Sequence, residues 1–376
     1  MQSSNAQTQR IGARLVAARK QLDLTQAELA EKLGFENRQT LASIEAGDRR
    51  LSAEELIRVI QTLGVDLDFF TDPFRLVGEG RFSFRARPGV SANVLDQFED
   101  RAGRWIATYR ELGKELGESP ELLELKLALT KKSMFVDAQV AAEALGKRWS
   151  LGMVPSASLQ DAMERHIGAL ILYVDAPAGI SGAASQLPGL NTVLVNRREP
   201  TGRRNFDLAH ELFHLLTWHA MAPDRVEAVE VPSGGKGNRV EQLAENFAAA
   251  LLMPGEQMRE RWNERSERED IHTWLNATAA SLGVSATACK WRLRNLECLG
   301  KADLVDINDQ RLTANGGTAD ATHLPLAFSA RFVLRIATAL DAGRLSAKRA
   351  ANLLALSLAD LSELLQAYGV EPSFEA

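Results

Sequence analysis

The 376-residue sequence predicts a mostly helical protein with a small α+β core. Apolar residues recur at helical spacing over residues 9–72, 91–148 and 270–376. From residue 154 the texture changes to short β-rich runs, IGALILYV and TVLVN, set between turn residues. Apolar residues make up 45% and charged residues 25%, the balance of a globular chain, and the length suits two or three domains. Four segments follow: an all-helical domain over 9–72, a linker and helical segment over 73–150, a mixed domain with a small sheet over 151–268, and a helical module over 269–376.

Composition narrows the function. The formal net charge of −5 excludes polyanion binding by bulk charge, so any DNA contact must come from a local patch. Two cysteines, Cys289 and Cys298, make no disulfide framework and fit a reducing cytosol. The N-terminal MQSSNAQTQR has no apolar core for a signal peptide, and the apolar runs are too short to span a bilayer. A cytoplasmic protein without a membrane partner is expected.

The first helices show apolar positions at Ile11, Leu15, Ala18 and Leu22, then Ala27, Leu29, Ala30 and Leu33, then Leu41 and Ile44. Thr25 followed by Glu28 is a capping box, and Gly34 and Gly47 fall where helices stop. The runs LTQAELAEKLG and NRQTLASIEAG are two short helices about a glycine turn, the arrangement that lays a second helix in a major groove of double-stranded DNA. Gln26, Arg38, Gln39, Thr40 and Ser43 take polar positions suited to bases or phosphates; Arg49 and Arg50 suit phosphate. Residues 1–72 hold nine Lys or Arg against eleven Asp or Glu, so a monomer should bind DNA weakly and a homodimer is expected. The alternative is a helical scaffold for protein contacts.

The stretch TDPFRLVGEGRFSFRARPG is punctuated by Pro and Gly and reads as a linker, although Arg81–Arg87 alternates like a short strand. Residues 91–148 predict two or three long helices.

In the mixed segment, Arg204–Trp218 reads as a helix containing His210-Glu211-Leu212-Phe213-His214. A spacing of four puts both imidazoles on one helix face, where they reach one tetrahedral zinc at about 2.0–2.1 Å. Glu211 sits where it takes a proton from zinc-bound water and passes it to a leaving amine. A zinc peptidase needs a third ligand and one open position. The next helix, Val240–Leu252, offers Glu241 and Glu245 on one face. Glu241 is assigned to the metal, and Glu245 to a hydrogen bond from a ligand histidine. The alternatives are an exposed His–Glu–His face and two solvated carboxylates. Gly234, Gly235 and Gly237 form a flexible loop between the two helices. His219 reads as a surface residue or a transition-state donor; His166, His272 and His323 have no partner pattern, and Cys289 reads as core. Leu275–Leu299, turning near Gly283, is a second helix-turn-helix pattern.

These pieces carry two resemblances. LTQAELAEKLG and IEAGDRRLSAEEL, within 11–72, resemble the Xre/Cro helix-turn-helix regulators. TVLVN, RNFDLAHELFHLL and EQLAENFAAALLMP, within 192–254, resemble the ImmA/IrrE metallopeptidases, with Leu252-Met253-Pro254 specific to that family. LGVSATACKWRLRNL resembles that family's C-terminal helical module. The second resemblance implies a zincin-like fold, Zn2+ on His210, His214 and Glu241, and catalysis by Glu211. Many members carry Asn or Asp where this chain has Glu245. Members typically cleave a repressor or antitoxin, often one with an Xre domain, and so switch on stress, phage-defence or mobile-element genes. The combination implies a transcription regulator whose peptidase cuts such a partner or its own chain. The alternative is a DNA-binding regulator whose peptidase fold only senses or docks.

Overall fold

The structure is a computed structural model and describes residues 2–78, 80–118, 125–228, 238–313 and 324–374. Gly234, Gly235, Gly237 and His323 lie outside the described residues. The chain divides into two compact units, Met1–Gly80 with Asp100–Glu111, and Arg81–Glu99 with Leu112–Ala376.

The first unit is all-helical: α1 (Gln2–Gln21), α2 (Gln26–Lys32), α3 (Arg38–Glu45), α4 (Ala53–Leu63), α5 (Leu67–Thr71) and the middle of α6 (Ala92–Glu115). Local chemistry sets the ends. The Thr25 hydroxyl accepts from Glu28 N at 3.2 Å and Glu28 Oε2 accepts from Thr25 N at 2.7 Å, closing the capping box ahead of α2. Ser52 and Glu55 repeat it ahead of α4, and Asn37 caps α3. Gly34 and Gly47 take φ of +70° and +81°, the left-handed region where side chains are strained. Leu15, Leu29, Leu33, Leu41, Ile44 and Val59 form the core. Arg19 clamps Glu45 through two hydrogen bonds of 2.6 and 3.0 Å, fixing α1 against the end of α3.

The second unit holds one five-stranded mixed sheet: β1 (Arg81–Ala86), β2 (Leu170–Val174), β3 (Ile180–Leu187), β4 (Leu190–Asn196) and β5 (Val226–Ala228), in the order β2-β4-β3-β1-β5. β3 and β4 form a hairpin, β3 pairs antiparallel with β1, and the edge strands β2 and β5 run parallel to β4 and β1. The segment read as a linker therefore supplies a strand to the sheet. Its alternation was visible; its partner, about 100 residues away in β3, was not.

Helices α7 (Phe135–Arg148), α8 (Pro155–Ile167), α9 (Thr201–Thr217) and α10 (Arg239–Leu252) surround the core. α9 lies across β3 and β4, and α10 packs on α9 and α7. β3 reads ISGAASQL, and its small residues let α9 approach closely: a Cβ on Gly182 would stand 2.9 Å from Leu194 O and 4.0 Å from Glu211 Oε1. Phe213 of α9 meets Phe247 of α10 at 5.5 Å between ring centroids. Burying each such side chain contributes about 1.5–3 kcal/mol. Beyond lie α11 (Gly255–Glu264), α12 (Ile271–Leu282), α13 (Ala286–Asn295), α14 (Lys301–Asp306), α15 (Ala330–Asp341), α16 (Ala347–Leu354) and α17 (Leu358–Ala367). α12 and α13 turn about Gly283, φ +65°, as their pattern predicts. Phe328 exchanges backbone hydrogen bonds of 3.2 and 2.6 Å with Tyr173, covering the β2 edge.

Candidate metal centre

α9 is buried on nearly every side, which makes its polar residues costly. His210, Glu211 and His214 are 1%, 1% and 0% exposed, so the alternative of an exposed His–Glu–His face does not hold. Their spacing turns both imidazoles the same way, with Nε2 atoms 3.0 Å apart. Glu241, in the first turn of α10, brings its carboxylate oxygens to 3.2 Å from His210 Nε2 and 3.7 Å from His214 Nε2. Asn238 holds that turn by accepting from Val240 N at 3.1 Å. A second carboxylate arrives from β5: Glu227 Oε2 lies 3.6 Å from His210 Nε2 and 3.2 Å from His214 Nε2.

The four donor atoms of His210, His214, Glu227 and Glu241 all lie within 4.8 Å of one another. Their separations fit a divalent cation. Tetrahedral bonds of about 2.0–2.1 Å put ligand atoms about 3.3–3.4 Å apart, and the separations that involve a histidine, 3.0 to 3.7 Å, bracket that. Neither Glu227 oxygen has a hydrogen bond, nor has Glu241 Oε1. Two buried imidazoles and two carboxylates around a point with so few hydrogen bonds make a donor set that a cation completes.

The electrostatics of the metal-free chain say the same. Burial and Arg85 push the His210 pKa down, but the Glu227 and Glu241 carboxylates outweigh them and raise it to about 9. The carboxylates take a proton onto imidazole where a cation would otherwise serve. Burial alone would raise Glu227, yet His214 and His210 hold it well below the usual carboxylate range. Burial first, then the Glu227 charge, pushes Glu211 up to about 7, against the pull of His210, His214 and Arg85. Both Glu211 oxygens are buried without a hydrogen bond.

Glu245 sits apart from the four donors. His210 Nδ1 and His214 Nδ1 have no hydrogen-bond partner, so the expected bond from a ligand histidine to Glu245 is not made. Its charge acts instead on Arg85, along with those of Asp207, Glu211 and Glu241. Arg85, on β1, is 4% exposed, with Nη1 3.1 Å from Asp207 Oδ1. Asp207 also takes Arg203 Nε at 3.1 Å.

Sequence reasoning missed Glu227 and Arg85. Glu227 stands in a three-residue strand 13 positions after His214, with no periodic signal. Arg85 lay in the supposed linker. The remaining candidates stay outside this group. Cys289 is buried core, its thiol pushed up to about 12 by burial. His166 stacks on Trp149, and His272 Nε2 accepts from Asn308 N at 2.9 Å.

In the first unit, Arg38, Gln39, Arg49 and Arg50 are exposed, and Gln26, Thr40 and Ser43 are half-buried. Gln26 donates to Glu45 at 2.8 Å and Arg49 to Glu55 at 2.7 Å. Thr40 is drawn into the α3 cap, its backbone N donating to Asn37 Oδ1 at 2.9 Å. Arg38 and Gln39 thus stand most openly on α3.

Residues 15–70 match the helix-turn-helix family model, and residues 164–294 match that of the IrrE N-terminal-like domain. The chain joins an Xre-type helix-turn-helix to an IrrE-like domain. The IrrE-like match spans all four donor residues and Glu211, but not Arg85. Two solved structures align with nearly the whole chain. A bacterial peptide pheromone/receptor complex does so at 10% identity, over 96% of this chain and 99% of that one, with a TM-score of 0.16. The PrgX/iCF10 complex does so at 12% identity, over 97% and 99%, with a TM-score of 0.15. TM-scores this low mark no shared global fold. No curated protein matches the chain.

Proposed function

We propose that this is a DNA-binding regulator whose IrrE-like domain is a zinc-dependent endopeptidase, cutting a partner repressor or antitoxin, or its own chain. The observation that carries the reading is the meeting of two α9 histidines with one buried and one half-buried carboxylate, the histidine separations suited to one tetrahedral cation, with Glu211 beside them. His210, His214 and Glu241 would hold the zinc. When bound, it supplies Lewis acidity toward a scissile carbonyl and acidifies water.

The chain's own residues do the rest. Glu211 takes the proton of the attacking water and returns it to the leaving amine. Burial places Glu211 where its carboxyl can both take up and release a proton: 1% exposed, with neither oxygen held by a hydrogen bond. Arg85 and Asp207 neutralise one another beside it, and Arg85 offsets the negative charge of Glu211, Glu241 and Glu245. In the first unit, Arg38 and Gln39 face a major groove, and a homodimer doubles the phosphate contacts. Among the described residues no helix is long and apolar enough to cross a membrane.

The test is to incubate the zinc-loaded chain with repressors encoded beside it and to resolve the products by mass spectrometry. Glu211→Gln should keep its zinc and lose cleavage by about 10²–10⁴-fold. Cleavage at the unmodified rate removes Glu211 from the mechanism. A second reading, a regulator whose IrrE-like domain binds metal without proteolysis, has Glu227 in its favour, because a second carboxylate occupies the donor set.

A further inference from the structure

Glu227 is the more deeply placed of the two carboxylates. Its side chain is 2% exposed against 17% for Glu241, and neither of its oxygens finds a hydrogen bond. A carboxylate taken this far out of water costs several kcal/mol unless a cation or a protonated imidazole sits on it, and its nearest polar groups are His214 Nε2 at 3.2 Å and His210 Nε2 at 3.6 Å. Its place is not accidental. β5 pairs with β1 in register, Glu227 opposite Arg85, and two bonds of 2.8 Å fix the approach: Phe84 N to Arg225 O, and Ser83 Oγ to Asp224 O. Alternation along the strand then turns Glu227 inward and leaves Val226 44% exposed.

Resting on the metal centre proposed above, we infer that Glu227 is a fourth protein ligand, that the centre as folded is coordinatively closed, and that peptide cleavage requires β5 to withdraw this carboxylate. Structural zinc sites have four protein ligands, whereas catalytic ones keep a position open for water or substrate. His210, His214, Glu241 and Glu227 together make the closed type. The strand that closes it is the shortest in the sheet. β5 has three residues, lies at the sheet edge and, among the described residues, pairs only with β1. Its departure removes the fourth ligand and in the same movement frees the β1 edge, a row of backbone groups that an extended peptide can pair with. The class of activator is therefore an extended polypeptide segment competing with β5 for β1.

The test uses the full chain, stripped of metal and reloaded with one equivalent of Co(II), read by its visible absorption. The unmodified chain should show a four-coordinate spectrum that acetohydroxamate leaves unchanged. Glu227→Ala should shift on adding acetohydroxamate, and its zinc affinity, from chelator competition, should fall by about tenfold or more. Glu227→Gln keeps the side-chain shape and serves if the alanine variant misfolds. If the unmodified chain responds to acetohydroxamate as Glu227→Ala does, or the zinc affinities agree, the closure is overturned. If in that case His214→Ala also loses the metal, the centre itself still stands. An unmodified chain that takes up no metal overturns both.

Discussion

Asp207 offers the sharpest test of how the site is held. It is 0% exposed, one helical turn before His210, and carries two guanidinium groups, Arg85 Nη1 and Arg203 Nε, each at 3.1 Å. Asp207→Asn keeps the shape and removes the charge. Breaking a buried ion pair from one side costs about 3–5 kcal/mol, because the other charge is left unpaired. Two features set where this case falls. The Arg203 side chain is 30% exposed, so water screens its loss. Arg85 is only 5% exposed as a side chain, but the charges of Glu211, Glu245 and Glu241 still act on it. The low end, about 3 kcal/mol, follows. With a urea m-value of about 3 kcal/mol/M or more for a unit of this size, the midpoint should drop by roughly 0.5–1 M. Tryptophan fluorescence reports the right unit, since Trp149, Trp218, Trp262, Trp274 and Trp291 belong to it and Trp105 to the other. A double change, Arg85→Met with Asp207→Leu, should recover most of the loss. A midpoint shift below about 0.2 M for Asp207→Asn would refute the claim that Arg85 depends on this carboxylate.

Two further expectations concern protons and DNA. In the metal-free chain His210 is raised from its ordinary 6.5 to about 9 and Glu211 from 4.5 to about 7. In those windows the folded chain binds more protons than the unfolded one, so stability falls as pH rises through them. Zinc binding, which needs deprotonated ligands, strengthens in the same direction. The gap between thermal midpoints with zinc and with EDTA should therefore widen from pH 6 to pH 9; a constant gap would contradict the cluster's electrostatics. On DNA, Gln39→Ala should cost about 1–3 kcal/mol on the preferred operator and relax the preference at one base pair. Arg50→Ala should weaken binding to all sequences alike and reduce the salt slope by about 1, both read by fluorescence anisotropy across salt.

What the sequence disclosed was what is local. The Thr25–Glu28 box, the glycine stops, the α9 histidine pair and Glu241 in the next helix all depend on spacings within a few residues or on a helix start. The strands that complete the site depend on pairing across the chain. Arg85 and Glu227 face one another only because β1 and β5 pair over some 140 residues. β3 was unreadable for a different reason: Gly182 and Ala184 are small on the face that α9 covers, and Ala183 between them is small too, so the strand lacks the branched residues that announce one. Glu245 reversed the lesson. It shares a helix face with Glu241, but a shared face does not fix which neighbour a carboxylate serves, and its charge acts on Arg85.

A closed centre also answers a difficulty built into the fusion. If the IrrE-like domain is the peptidase proposed above, any cleavable segment of the same polypeptide stands at an effective concentration on the order of millimolar, far above that of a separate partner in a cell. An open centre would cut its own chain before it met anything else. Glu227 removes that outcome if it must first be displaced, because a segment of the chain then competes with a ligand already in place rather than with water. The full-length Glu227→Gln variant, purified with zinc, should thus accumulate its own fragments where the unmodified chain stays intact, and adding Glu211→Gln should stop the fragmentation. Equal integrity of the unmodified and Glu227→Gln chains would mean that something other than this carboxylate keeps the site from its own polypeptide.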